Sequence, residues 1–317
     1  MNFKEFGWNG LIFEIPEEMH LASEGGNAKS AYYRLEAERY FIEVKWEPFI
    51  QKKAKPLSEI LEAFIKQTEK KTKQSIKVLK RDNAHVFSHN ALHMNLKSQT
   101  EDHMYMWYCE ESERTFIFRF AFGTLDSASK KIVGHVIDTL KCHTEGPNVW
   151  SILGLRFEAP KSFLLTDRKM AVGRAHFLLN DRKMTSFSEK GREILIEYFS
   201  MANVVFADTY KDLDKWLEKE YLKDLRKRCR GVTFQSKESQ KLRRHNAVIK
   251  QGLRMSGSTT RKTSLFTNVT WYCSASNRIY SITISSHIGR PILFKRDSGE
   301  GSHKKLVEDF LLAFECH

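Results

Sequence analysis

Short residue patterns recur in this chain in the same order, and this internal repetition constrains the fold more than any other feature. Trp-Tyr-Cys occurs at residues 107–109 and 271–273, and Cys-His occurs at residues 142–143 and 316–317. The distance between matched residues grows from 144 to 174 along the chain and never decreases. Such ordered matches indicate a duplicated domain that has gained insertions in its second copy. The other matches are Pro16 with Pro160, Leu57 with Leu213, His89 with His245, and Lys130 with Lys304.

The repeat predicts two domains, residues 1–146 and residues 147–317. A chain of 317 residues is long enough for each domain to bury a core of its own. The boundary falls at Gly146 and Pro147, two residues that together mark a turn. Because this turn is short, we expect two closely spaced domains without a long linker.

Within each copy the apolar residues predict strands on both sides of a helix. Their spacing from Leu57 to Ile65 places them on one face of a helix, and the alternating phenylalanines from Phe116 to Phe122 are typical of a strand. A second helix is predicted at the end of each copy. The predicted order is β-β-β-α-β-β-β-β-α, which is an α+β fold in which two helices cover an antiparallel sheet.

This order of elements resembles a known fold. Each copy opens with a strand that ends in proline, Phe-Glu-Ile-Pro at 13–16 and Phe-Glu-Ala-Pro at 157–160. A hairpin, an amphipathic helix, a meander and a final helix follow, as in the Mog1/PsbP/DcrB-like fold. The resemblance covers both halves and implies tandem domains of that fold. Its members include GTPase adaptors, photosystem subunits and envelope proteins, so the resemblance implies no functional residue.

Five cysteines raise the question of a metal site or a redox pair. Three interpretations stay open: small buried side chains of a duplicated core, one disulfide in each half, and metal ligation. No Cys-x-x-Cys pair is present, although zinc sites commonly use one. The sequence therefore favours the first interpretation, and we expect neither a metal nor another cofactor. The less favoured metal ligands are Cys109, Cys142, His143, Cys273, Cys316 and His317, and the disulfides would join Cys109 to Cys142 and Cys273 to Cys316. His89 and His245 are interpreted as residues that begin strands.

The positive charge of the chain is concentrated in its second half. Residues 1–146 contain 21 Lys and Arg against 21 Asp and Glu, whereas residues 147–317 contain 31 against 18. The net charge of +13 therefore belongs to the second half, and segment 226–250 alone has nine basic residues and one acid. Clustered Lys and Arg are typical of polyanion binding. The predicted phosphate contacts are Arg226, Lys227, Arg228, Arg230, Lys241, Arg243, Arg244, Arg261, Lys262, Lys295 and Arg296.

The function class that best fits these features is a non-enzymatic binding protein. The chain has no phosphate-binding loop, no dinucleotide fingerprint and no nucleophile elbow. We expect the basic second domain to dock on RNA or a ribonucleoprotein through phosphate contacts. The alternative is an adaptor or complex subunit that binds an acidic protein, and an enzyme with an inter-domain cleft is less favoured. No signal peptide or membrane span is predicted, so a cytoplasmic protein without a membrane partner is expected.

Overall fold

A computed structural model divides the chain into two compact units, Met1–Leu153 and Gly154–His317. The dividing point lies a few residues beyond the predicted boundary. Residues 148–152 form a strand that pairs with the N-terminal strand, with Gly7 opposite Ser151, and they therefore belong to unit 1. The structure describes residues 1–27, 29–50, 55–123, 126–185, 188–206, 212–229, 231–256, 260–291 and 299–317.

Unit 1 contains a seven-stranded antiparallel sheet and a separate small layer. The sheet has the strand order β3-β4-β5-β9-β8-β7-β6, and in the small layer β1 pairs with β2 and β10. The strands are β1 (Phe3–Trp8), β2 (Leu11–Pro16), β3 (His20–Gly26), β4 (Ala31–Glu36), β5 (Tyr40–Pro48), β6 (Lys77–Val86), β7 (His89–Lys97), β8 (Glu101–Cys109), β9 (Arg114–Phe122) and β10 (Asn148–Ile152). The helices are α1 (Leu57–Thr72) and α2 (Ser127–Thr139).

The two faces of the unit 1 sheet pack against different layers. Successive side chains of β9 point to opposite faces. Phe118 packs edge-on against Phe13 of β2, with ring centroids 5.4 Å apart. Ile117 lies in a cluster with Leu61 of α1 and Met104 of β8. The small layer thus covers the aromatic face, and α1 covers the face rich in methionine and leucine.

Helix α2 begins at a capping box and packs on the small layer. The Ser129 N–H donates to Asp126 Oδ1, and Ser129 Oγ accepts from the Asp126 N–H, both at 2.8 Å. Two N–H groups that the first helical turn would leave unpaired are thereby satisfied. Ile132, Val133 and Val136 are buried along one face of the helix.

Unit 2 contains a second seven-stranded antiparallel sheet with the same kind of strand order, β12-β13-β14-β18-β17-β16-β15. The sheet strands are β12 (Leu164–Ala171), β13 (Arg174–Met184), β14 (Glu189–Ser200), β15 (Thr233–Leu242), β16 (His245–Ser256), β17 (Thr260–Cys273) and β18 (Arg278–Pro291). Unit 2 also contains strand β11 (Leu155–Ala159), which lies outside this sheet. Its helices are α3 (Ala202–Val204), α4 (Leu213–Trp216), α5 (Leu222–Arg228) and α6 (Glu300–Ala313), with a π-helical turn, Leu217–Tyr221, between α4 and α5.

The α4–α5 segment and α6 bury apolar residues in unit 2. Trp216, Tyr221 and Leu225 of the α4–α5 segment belong to one buried cluster, together with Phe266 of β17. Helix α6 contacts β11, β17 and β18. Within the described part of the chain, no helix combines the length and apolar character needed to cross a membrane.

The predicted order of elements was too short at its beginning. Five strands precede α1, where three were predicted, and the two additional strands are β1 and β3. Strand β1 contains two charged residues in its first half, and five of the seven residues of β3 are polar or glycine. Neither has the alternating pattern by which a strand is recognised. Both strands form because a neighbouring strand supplies the hydrogen bonds.

Two glycines should respond in opposite ways to replacement by alanine. A Cβ at Gly7 would lie 2.9 Å from Ser151 N and 3.2 Å from Val149 O, so β1 and β10 would have to separate. Gly134, within α2, has open space around its Cβ position. We expect Gly7→Ala to lower the free energy of unfolding by about 1–3 kcal/mol, and Gly134→Ala to raise it by about 0.5–1 kcal/mol. Urea unfolding checks both, and equal midpoints would contradict the close packing of β1 on β10.

Candidate metal centres

Unit 1 brings together four side chains that carry metal-binding atoms. His89, Cys109, Cys142 and His143 each contribute one donor atom to a group whose members all lie within 4.8 Å of one another. His143 Nδ1 lies 3.3 Å from Cys109 Sγ and 3.6 Å from Cys142 Sγ. Both cysteines are buried, and both histidines are partly buried. We call this group cluster 1.

Unit 2 contains a second group of the same composition, which we call cluster 2. It consists of His245, Cys273, Cys316 and His317, and its donor atoms also lie within 4.8 Å of one another. His317 Nδ1 is 3.2 Å from both Cys273 Sγ and Cys316 Sγ, and Cys316 Sγ is 3.3 Å from His245 Nε2. Each unit therefore offers two sulfur and two nitrogen donors.

The register of one hairpin places the first histidine beside the first cysteine. His89 begins β7 and Cys109 ends β8. Ala91 pairs with Trp107, and continuing this register places His89 opposite Cys109 on the same face of the sheet. The corresponding pairs in unit 2 are Ala247 with Trp271 and, by the same register, His245 with Cys273.

A short backbone bridge positions the Cys-His pair in each unit. After α2 the chain becomes extended, and Lys141 exchanges two hydrogen bonds with Ile12 of β2, at 2.9 and 2.8 Å. After α6, Glu315 exchanges two with Arg156 of β11, at 3.0 and 2.7 Å. The residue after each bridge is the cysteine of the pair. Three separate chain segments therefore converge on each cluster.

The spacing of the donors suits a tetrahedral metal ion. Ligands about 2.0–2.3 Å from a tetrahedral Zn²⁺ lie roughly 3.3–3.8 Å from one another. The measured sulfur–nitrogen distances, 3.2–3.6 Å, are close to that range. Two thiolates and two imidazoles are also a donor set that Zn²⁺ prefers in structural sites.

A buried nitrogen in cluster 1 has no hydrogen-bond partner. His89 Nε2 is buried, and it makes no hydrogen bond within the described residues. A buried unpaired polar atom normally costs stability, whereas a nitrogen that ligates a metal needs no such partner. The five cysteines, all described, are free thiols. Neither the Cys109–Cys142 nor the Cys273–Cys316 disulfide is formed.

Each cluster combines a cysteine of lowered pKa with one of raised pKa. In cluster 1 the hydrogen bond between the two thiols lowers the pKa of Cys109 to about 5 and raises that of Cys142. In cluster 2 burial raises the pKa of Cys316 to about 11. Burial also acts on Cys273, but hydrogen bonds, chiefly from Ser276, outweigh it and lower its pKa. A divalent cation would displace the remaining proton of each pair.

Positive charge lies beside the thiols of cluster 1. Arg114 pairs across the hairpin with Cys109 and donates to Asn9 O at 2.8 Å. Burial lowers the pKa of this arginine, and the charges of Cys109 and Cys142 oppose that effect. By the same interaction the guanidinium stabilises the thiolate forms. In each unit an arginine follows the cysteine of Trp-Tyr-Cys five residues later, Arg114 in unit 1 and Arg278 in unit 2. In unit 1 the charge of this arginine thus acts on the cluster.

An acidic side chain distinguishes cluster 1 from cluster 2. The Cys109 thiol lies 3.6 Å from Glu111 Oε2. The same carboxylate oxygen lies 3.8 Å from His89 Nε2 and 3.9 Å from His143 Nδ1. At the corresponding position after Cys273 the chain has Ala275. Cluster 1 therefore has a carboxylate at a position that alanine occupies beside cluster 2.

The sequence supplied six of the eight cluster residues, although it did not favour metal binding. The structure brings all six into two groups, and it adds His89 and His245. Those two were interpreted as residues that begin strands, which they are. The signal that could have found them is the matched His-Asn-Ala at 89–91 and 245–247. This repeated histidine, taken together with the two repeated cysteines and the histidine of Cys-His, gives four potential ligands in each copy.

Comparison with known proteins gives no family for this chain. No family model matches it, and no curated protein matches it. Among solved structures it is similar to the solution structure of cyanobacterial PsbP (CyanoP) from Synechocystis sp. PCC 6803, with a TM-score of 0.35 and 8% identity. That match covers 44% of this chain and 91% of the other.

The predicted phosphate contacts fall into separate groups. Arg226, Lys227 and Arg228 form the exposed last turn of α5, whereas Arg243 and Arg244 form the turn between β15 and β16. Helix α5 ends at Arg228, and β15 begins at Thr233. The ten residues of β15 span about 30 Å, and the turn to β16 follows its last residue. The two groups thus lie near opposite ends of one strand.

Within the described residues, four of the predicted contacts make ion pairs, and two of these lie on α5: Lys227 is 3.7 Å from Asp224, and Arg228 is 3.9 Å from Glu197. Arg243 donates to Leu312 O at 2.6 Å and lies 3.7 Å from Glu315. Lys262, on β17, lies 3.8 Å from Glu189. Arg243 and Lys262 are still more than two-fifths exposed, so they keep a surface that a phosphate could reach.

The remaining predicted contacts are of two kinds. Lys241 is exposed near the end of β15. Three residues and one side chain lie outside the described residues: Arg230, Lys295 and Arg296, and the side chain of Arg261.

Replacing Arg114 by glutamine should make cluster 1 harder to load with metal at low pH. Loss of the positive charge raises the pKa of the neighbouring thiols, so protons compete more strongly with a cation. We expect the pH of half-loading with Co²⁺, followed by its thiolate absorption, to move upward for cluster 1. Arg81→Gln removes an exposed arginine of β6 and should leave the profile unchanged. An unchanged profile for Arg114→Gln would show that this charge has no influence on the thiols.

Proposed function

We propose that this chain is a non-enzymatic binding protein of two homologous domains, each stabilised by one Zn²⁺ ion in a Cys₂His₂ site. The observation that supports the proposal most directly is the pair of four-donor clusters, one in each unit. Matched placement of four ligands, from three chain segments, in two units is not expected of cysteines that serve only as small core residues.

A duplication explains why the clusters match. Both sheets have the same strand order, and matched aromatic pairs occupy the same rungs. Trp107 pairs with Phe116 in unit 1, and Trp271 pairs with Tyr280 in unit 2. We infer that both units derive from one domain of the PsbP-like type, as the order of elements in the sequence suggested.

The proposed role of the metal is structural. Four protein ligands complete a tetrahedral Zn²⁺ site, whereas catalytic zinc keeps one position for water or substrate. The ion would tie the segment after the last helix of each unit to the β7–β8 or β16–β17 hairpin. The remaining thiol, Cys229, lies in an apolar cluster instead. Free thiols and thiolate ligands fit a reducing compartment, and we propose the cytoplasm.

The metal proposal predicts two zinc ions per chain. His89→Ala and His245→Ala should each reduce the content to one, and the double variant should reduce it to none. A strong chelator should lower the melting temperature of the unmodified protein, because a ligand that binds only the folded state stabilises it. Zinc content is measured by atomic absorption on protein purified without added metal.

Cys229→Ser is the matched control, since it removes a cysteine that belongs to neither cluster. It should retain two zinc ions and the tetrahedral Co²⁺ spectrum. If a variant fails to fold, Co²⁺ titration of the unmodified protein still decides the question. Absence of sulfur-to-cobalt charge transfer, with five titratable thiols, would overturn the proposal.

A second candidate function is docking of unit 2 on RNA or a ribonucleoprotein. Exposed basic residues at both ends of β15, about 30 Å apart, favour an extended polyanion over a compact one. Arginine predominates in both groups, and its planar fork suits phosphate. An acidic protein partner is the alternative that the same charges allow.

For RNA docking, Arg226→Gln and Arg244→Gln test the two ends of the surface separately. Each should weaken binding of a single-stranded RNA about 3- to 10-fold and reduce the salt dependence by about one phosphate contact. Fluorescence anisotropy at several salt concentrations measures both quantities.

Lys70→Gln with Lys71→Gln is the control for this experiment. These residues occupy the last turn of α1, the corresponding helix end of unit 1, and their loss should leave RNA affinity unchanged. Equal loss in control and test variants would contradict a docking surface in unit 2. Binding of the chain to poly-glutamate, without binding to RNA, would favour the acidic protein partner.

A further inference from the structure

Unit 2 contains a pocket whose lining is rich in positive charge. Its volume is about 410 Å³, within the range of small-ligand sites. Strands β12 and β13 contribute Lys169, Arg174 and His176, and α5 contributes Lys227 and Arg228. The lining also includes Ala171 and one acid, Asp224. Lys227 and Arg228 were predicted phosphate contacts, whereas the strand residues that line the pocket with them were not.

A buried carboxylate fixes the central arginine. Arg174 Nη2 donates to Glu197 Oε1 at 2.9 Å, and the Glu197 side chain is 1% exposed. Tyr221 donates its hydroxyl to the other oxygen of Glu197 at 2.5 Å. The guanidinium of Arg174 also lies over the ring of Phe199, 4.7 Å from its centroid. Arg174 is therefore held in place before any ligand arrives, which reduces the entropy lost on binding.

The charge balance of the pocket leaves a positive excess. Lys169, Arg174, Lys227 and Arg228 contribute four positive charges, and Asp224 with the buried Glu197 contributes two negative ones. Arg174 Nη1 lies 3.8 Å from Asp224, beyond hydrogen-bonding distance. His176 is paired with Asp167 at 3.0 Å, outside this balance. A ligand that carries about two negative charges would neutralise the excess.

At the rung that corresponds to Glu197, unit 1 has a residue of the opposite charge. Glu197 precedes Tyr198, which pairs with Tyr280, and Lys45 precedes Trp46, which pairs with Phe116. A lysine thus takes the place of the buried glutamate, and it pairs with Glu47 at 2.6 Å. The anchored arginine and its pocket are a feature of unit 2.

We propose that this pocket binds a phosphomonoester group, either of a small phosphorylated molecule or at the 5′ end of an RNA strand. A phosphomonoester carries about 1.5–2 negative charges at neutral pH, whereas a phosphodiester within a strand carries one. The fixed fork of Arg174 can donate to two phosphate oxygens, and Lys169 and Lys227 add point charges. The RNA form of this proposal rests on the docking proposed above, and the small-molecule form does not.

Isothermal titration of the full chain with four probes separates the sources. The probes are inorganic phosphate, adenosine 5′-monophosphate, and one short RNA with either a 5′-phosphate or a 5′-hydroxyl. We expect the 5′-phosphate to strengthen RNA binding at least about 10-fold, because charge-assisted hydrogen bonds are the strong ones. Lys169→Gln and Lys227→Gln should each remove most of that advantage and weaken the binding of adenosine 5′-monophosphate.

The controls keep the pocket apart from general RNA docking. Lys161→Gln removes an exposed charge of unit 2 outside the pocket and should change neither quantity. Arg244→Gln should weaken both RNA forms equally and preserve the ratio between them. If the chain binds adenosine 5′-monophosphate but neither RNA form, the pocket is supported and RNA docking is overturned. Equal binding of both RNA forms, with no binding of phosphate or monophosphate, would overturn the pocket and leave docking intact.

Discussion

The candidate metal centres depend on the register of one hairpin in each unit. His89 lies opposite Cys109 only because Ala91 pairs with Trp107. A slip of one residue in a β-ladder moves each side chain of the strand to the opposite face. A slip of β8 would also remove Trp107 from its stacked contact with Phe116 of β9, whose ring centroid is 5.1 Å away. Core packing and ligand placement therefore specify the same register, and neither can change without the other.

The second requirement is the extended segment after the last helix of each unit. The helices end at Thr139 and Ala313, and the following residues leave the helical region of backbone angles. Two hydrogen bonds then join Lys141 to Ile12 of β2, and two join Glu315 to Arg156 of β11. A helix that continued for one more turn would carry the cysteine away from the hairpin. The matched ends of the two helices are thus part of each site.

Part of this arrangement could be read from the sequence, and part could not. Repeated Trp-Tyr-Cys and Cys-His supplied three ligands in each unit, because identical short patterns in matched order are visible without a fold. The fourth ligand was not recognised, since His89 and His245 lie far from the cysteines in the chain. Their proximity follows from strand pairing, which no local pattern encodes. The charged residues Lys169 and Arg174 escaped notice for the same reason, whereas the basic run beginning at residue 226 was evident from composition.

The two units differ on the sheet face beneath the first helical segment. In unit 1 this face buries Met94, Met104 and Met106 against α1. In unit 2 the buried residues include Asn268 and Thr283, and Asn268 Nδ2 donates to Thr283 Oγ1 at 3.0 Å.

A buried polar layer stabilises a fold less than an apolar one of equal volume unless its groups are fully paired. Here the layer lies close to the anchor of the proposed pocket, because Ser281 and Thr283 act on the pKa of Tyr221, and Tyr221 donates to Glu197. Glu197 in turn holds Arg174. In unit 2 a polar interior thus adjoins the proposed phosphate pocket, whereas a four-donor cluster is common to both units. Under the proposed duplication and metal binding, one face of the core can change without loss of the fold, and the face on which unit 2 differs from unit 1 leads to Glu197 and Arg174.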